Sequence, residues 1–116
     1  PMPKSNSRQL LREILAEMVR ISQLTSGRQY ENFYRDEKDY ASLAGSLRII
    51  SERVRHVPTI IRVKYALVPW NELSELEEKI SGTDPVNRPR ILWKIATETL
   101  PRIRPVLENL EKEMEV

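Results

Sequence analysis

"LLREILAEMVRISQLTSG", residues 10–27, decides what kind of fold this chain adopts. Leu10, Leu11, Ile14, Leu15, Met18, Ile21 and Leu24 recur three or four residues apart, the spacing that lines side chains along one face of an α-helix. Gly27 follows, and glycine accepts the left-handed conformation in which helices commonly stop. The spacing predicts a helix over about residues 7–25.

The same period continues outward. "YENFYR" (30–35) reads as a short helical turn that places Tyr30, Phe33 and Tyr34 inward. Asp36 is a good N-cap for a long helix to about Val57, with Glu37 and Asp39 in a first turn that suits the helix dipole. Tyr40, Leu43, Leu47, Ile50 and Val54 form its stripe. Gly45, in mid-helix, costs about 1 kcal/mol against alanine and marks a close helix approach. Pro58 ends this helix, and "TIIRVKYALVP" (59–69) is a short helix or turn. A fourth helix over about 70–80 carries Trp70, Leu73, Leu76 and Ile80, then dissolves at "SGTDP" (81–85). Asn87 caps a last helix with Pro89 in its first turn, and Pro101 and Pro105 should kink it. The expectation is an all-α, up-and-down helical bundle of four to five helices, one domain over 1–116, with 1–6 a disordered or tag-derived start.

Composition agrees. The 116 residues are 40% apolar and 31% charged, with 3 glycines and 6% aromatics, a balance that suits a helix-rich folded chain better than a sheet or a disordered segment. There is no cysteine, which removes disulfides and thiolate metal sites. No apolar run approaches the roughly 20 residues that span a bilayer, so no membrane is expected and a cytoplasmic location is the default. The net charge of +2 is too small to argue for nucleic acid, but it is unevenly spread. Residues 48–64 carry five Arg and Lys against Glu52, whereas 71–84 carry five carboxylates against Lys79. Solvated helix faces account for both; an RNA or acidic-partner surface is the sharper alternative.

Candidates for chemistry are few. No glycine-rich phosphate loop is present, and a single histidine cannot build a His-rich metal site. His56 follows Glu52 by four residues on one helix face, as a surface charge pair or as a catalytic base. Glu72, Glu75 and Glu78 share a face of the fourth helix; without a second helix supplying Glu-x-x-His, this reads as a solvated acidic face. No cofactor and no metal are expected.

The order "LLREILAEMVRISQLTSG", "YENFYRDEKDYASLAGSLRIISERVRHVP" (30–58), "VPWNELSELEEKISGTDPVNRPRILWKIATETLPRIRPVLENL" (68–110) resembles the HepT-like branch of the HEPN domains. The similarity runs from about residue 8 to 111, and its most specific parts are "LRIISE", the Pro69-Trp70 pair and "ILWKIATETLP". The resemblance implies a dimeric helical bundle, often a toxin beside a small nucleotidyltransferase antitoxin. It implies a metal-independent ribonuclease site: an Arg, four to six residues, a His, and commonly a Tyr two residues later. The His would move the proton of the ribose 2′-OH or of the leaving oxygen, and the Arg would neutralise phosphate charge. Counted without gaps from Trp70, those roles fall on Glu77, Gly82 and Asp84, and none of the three can perform them. The expectation is therefore a catalytically degenerate member, not an enzyme, acting as a homodimeric partner or regulator in a toxin–antitoxin type system with a nucleotidyltransferase. RNA binding is compatible with the family but not supported by the motif. The alternative is a ribonuclease with a site relocated to Glu52, Arg53, Arg55 and His56.

Overall fold

A computed structural model describes residues 4–114. Residues 1–3 of the expected irregular start lie outside the described residues, and 4–6 open the first helix. That helix, α1 (Lys4–Thr25), buries Leu11, Ile14, Met18 and Ile21 and stops at Gly27, whose φ of 71° lies where a side chain would be strained. A single turn, α2 (Tyr30–Phe33), follows. Of its three aromatics only Phe33 goes inside. Tyr30 is half-buried and stacks 5.0 Å from Tyr34, which stays exposed, while Trp93 covers Phe33 at 5.2 Å.

Helix α3 (Glu37–Arg55) begins as its sequence demands: the Asp36 carboxylate accepts the Asp39 N–H at 3.1 Å. It buries Leu43, Leu47, Ile50 and Val54, and on the same face two hydroxyls, Ser46 and Ser51. Gly45 departs from expectation. A Cβ there would meet nothing within 4 Å outside its own helix, so no element of this chain approaches it closely. Helix α4 (Thr59–Lys64) buries none of its residues, and the chain then runs through Pro69 into Trp70. Trp70 is buried, with its ring N–H donating to the Tyr65 carbonyl at 3.1 Å.

The helix expected over 70–80 is two: α5 (Trp70–Ser74) and α6 (Leu76–Ser81). Their separation has a local cause. In an unbroken helix the Glu77 N–H would donate to the Leu73 carbonyl. Here the fully buried Ser51 hydroxyl stands between them, accepting from the Glu77 N–H and donating to the Leu73 carbonyl, each at 3.2 Å. A side chain inserted into the backbone ladder is a recognised cause of a helix break.

The last helix also divides, into α7 (Arg88–Lys94), a π-helical turn (Ile95–Thr99) and α8 (Leu100–Glu113). Pro101 has no N–H to offer the preceding turn, and the Leu100 N–H reaches back five residues to Ile95. Pro105 is accommodated within α8. The long helices alternate in direction. Arg53 near the end of α3 pairs with Glu13 early in α1 at 2.8 Å, and Arg8 and Arg12 of α1 both reach Glu111 at the end of α8. All the described secondary structure is helical, as an up-and-down bundle with one continuous core.

Ser51→Ala removes a hydroxyl serving two buried backbone groups. It should cost about 1–3 kcal/mol in urea unfolding, whereas the exposed Ser42→Ala should stay within about 0.5 kcal/mol of the parent. Equal midpoints for the two variants would refute the bridging role.

Candidate functional site

The site lies where α6 and the 82–87 connection meet the C-terminal half of α3. Ser51 holds the Glu77 backbone N–H, so the Glu77 side chain emerges beside the arginines of α3. Its carboxylate lies 3.8 Å from Arg48 Nε and 3.6 Å from Arg55 Nη1. Arg55 also donates to the Glu78 carboxylate at 2.9 Å and to the Ser74 carbonyl at 3.1 Å. Two guanidinium groups thus face two carboxylates. The negative charge of Glu77 is thereby offset by the two arginines of α3.

Gly82 ends α6 in ordinary right-handed conformation, its N–H on the Glu78 carbonyl at 2.8 Å. A Cβ at position 82 would sit 3.1 Å from that same carbonyl, close enough to require a small backbone shift. Beyond it, Asp84 organises the connection. One carboxylate oxygen accepts the backbone N–H groups of Val86 and Asn87, both at 3.1 Å, and the other accepts the Asn87 side-chain amide at 2.9 Å. The Asn87 side chain is therefore spent on Asp84 rather than on capping α7, as its sequence position had suggested. Arg88 completes the closure by donating to the carbonyls of Ile80 and Thr83. The hydrogen bond from the Asn87 side chain, followed by those from the backbone, lowers the Asp84 pKa below its ordinary value of 3.8.

The four residues of the relocated-site alternative lie at the end of α3 but do not converge. Arg53 turns to Glu13 on α1, with Glu52 at 3.3 Å from its second nitrogen. Arg55 turns the other way, to α5 and α6. His56 is exposed at the helix C-terminus, where its backbone N–H closes onto Arg53 and Val54. Two residues that shape the site escape a reading of the sequence. Ser51 carries one signal, a hydroxyl on an apolar stripe; Arg48 carries none, because its partner lies on a helix 29 positions on by the numbering. Among the described residues no group of three or more His, Cys, Asp or Glu is placed to hold a metal ion. No described helix is long and apolar enough to cross a membrane.

The sequence profile of the family described as "Ribonuclease HepT-like" matches residues 14–110. A "Putative RNase MJ0127" of Methanocaldococcus jannaschii is 29% identical over 114 residues, covering 98% of this chain and 94% of that protein. A "Putative RNase TTE0752" of Caldanaerobacter subterraneus subsp. tengcongensis is 30% identical over 91% of this chain and 96% of its own. A "Probable ribonuclease HepT" of Thermococcus cleftensis is 26% identical over 94% and 99% respectively. No solved structure matches the chain.

A carboxyl whose folded pKa is lowered stabilises the fold above its unfolded value, and that contribution is lost as pH falls through the folded value. The Asp84→Ala variant should therefore lose less stability than the parent between about pH 6 and about pH 3, measured as the shift of urea midpoints. The same shift in both proteins would count against the Asp84 turn.

Proposed function

The chain belongs to the HepT-like ribonuclease family, and from that premise we propose that it is a non-cleaving member, a dimeric partner or regulator. The observation that carries this reading is the pair of groups at the positions where the family motif falls. Metal-independent cleavage of RNA needs a group that moves a proton and a cation on the transferring phosphate. Position 82 has no side chain, and position 77 presents a carboxylate already shared between Arg48 and Arg55. The nearby cations are engaged by Glu77 and Glu78, and the third position, Asp84, is engaged in its own turn.

Dimerisation through the outer face of α3 and the adjoining α5 and α6 is supported by an unexplained cost inside the chain. A mid-helix glycine gives up about 0.5–1 kcal/mol relative to alanine, and no contact within this chain requires it at position 45. Ala41, Ser42 and Ala44 keep the same stretch small, so a helix of a second copy can come close. The other expected association is with a nucleotidyltransferase-type antitoxin, which the family resemblance supplies.

Purified protein should leave RNA intact with and without chelator. Metal-independent cleavage that disappears in His56→Ala would overturn this reading in favour of a site at Glu52, Arg53, Arg55 and His56. For the dimer, Gly45→Arg should leave the helical circular dichroism unchanged, because open space receives the new side chain, and should halve the mass by light scattering. An unaltered dimer would remove α3 from the interface.

A further inference from the structure

Between Pro58 and Pro69 the chain exposes a run of large apolar side chains: Ile60 and Val63 are each 71% exposed and Leu67 is 89% exposed. Ile60 and Val63 stand three residues apart on one face of α4, and Leu67 is exposed in the turn that follows it. Yet the segment is firmly held. Arg62 donates to the Val54 and Val57 carbonyls at the end of α3, and Trp70 secures the Tyr65 carbonyl from below. Val57, Val68 and Trp70 are buried beneath the ridge. A rigid apolar ridge exposed to water is costly to leave bare and is organised in advance for a partner.

The surroundings say which partner. A groove of about 280 Å³ lies on one side of Ala66, floored by Tyr65, Val106 and Leu110, with Lys64 and Glu113 both in its wall. A second, of about 430 Å³, lies on the other side between Val63, Trp70 and Asn71. Exposed Ala66 lines both. Neither Lys64 nor Glu113 has an ion-pair partner among the described residues. A two-fold interface requires a patch that complements itself. This one has a protruding leucine beside a groove, a small residue between the grooves, and one cation and one carboxylate in the same wall.

We propose that the α4 ridge binds a second copy of the chain about a two-fold axis near Ala66, Leu67 of each copy entering the other's groove and Lys64 facing the other copy's Glu113. An anionic membrane or a nucleic acid fits less well, because Glu113 stands in the same groove wall as Lys64. This face is separate from the outer face of α3 and does not depend on it; where both are used, dimers join into an assembly of four.

Sedimentation equilibrium of the full chain tests this with Val63→Glu/Leu67→Glu, two positions too exposed to matter for folding, checked by circular dichroism. The mass should halve relative to the parent. Lys64→Glu and Glu113→Lys should each weaken association at low salt, and the two together should restore it. Gly45→Arg, measured alongside, separates the two faces: if α3 is not an interface, that variant keeps the parental mass while the ridge variant still halves it. An unchanged mass in Val63→Glu/Leu67→Glu would overturn the proposal. So would co-sedimentation of the parent with phosphatidylserine vesicles that the ridge variant loses, without any difference in mass between them.

Discussion

The hydroxyl of Ser51 stands inside a helical hydrogen bond that belongs to another element, and much of the local architecture depends on it. Burying a hydroxyl without partners is costly, and burying a backbone N–H and carbonyl without partners costs more. Ser51 answers all three needs at once by accepting from Glu77 and donating to Leu73. The consequence is a break at Glu75, where the backbone leaves helical geometry with φ −98° and ψ 5°. The break lets the 70–81 segment turn along α3 rather than run straight past it. Leu73 and Leu76 both reach the core from either side of the break, and Glu77 comes to rest next to Arg48 and Arg55.

That cluster contributes little to holding the fold together. Arg48, Arg55 and Glu77 each keep about two-fifths or more of their side-chain surface in water, where ion pairs are screened and typically contribute under about 1 kcal/mol. Its importance is local neutrality. The sequence shows a basic stretch at 48–64 and an acidic one at 71–84, and each would project a field if it stood alone. Folding lays part of one against the other. Arg102 of α8 treats Glu72 in the same way at 3.0 Å, so the acidic stretch is answered from two directions.

The helices were legible because their signals are local. The apolar stripe before Gly27, the Asp36 cap and the Pro58 stop each act within a turn or two of the chain, so a reading by spacing finds them. The clearest misses are those in which a distant element decides. Ser51 splits a helix whose broken carbonyl lies 22 residues away. Pro101 announces a disturbance, but the form it takes, a widened π turn rather than a sharp kink, depends on packing against α1 and α8. Gly45 reads as a contact within the bundle and proves to have none. Trp70 goes inside with its ring N–H on the Tyr65 carbonyl, while Ile60 and Val63 of α4 stay exposed. At the candidate site, counting from Trp70 identified Glu77, Gly82 and Asp84, but not the arginines that engage Glu77, since nothing in one helix names its neighbour.

The proposed loss of chemistry at this helix end also bears on how readily it could be reversed. Replacing Glu77 by arginine would do more than supply a phosphate-binding group. It would release Arg48 and Arg55 from their shared carboxylate and set a third guanidinium beside them, a repulsion that water screens and that a bound anion or Glu78 would relieve further. A histidine at position 82 would keep the backbone hydrogen bond that ends α6, but its Cβ would lie 3.1 Å from the Glu78 carbonyl and require a small backbone shift. A tyrosine at position 84 would strip the connection of the carboxylate that gathers two backbone N–H groups and the Asn87 amide. Each replacement therefore works against the local structure around it. The three positions are coupled through Glu78 and the 82–88 closure, so their restoration should be far from additive.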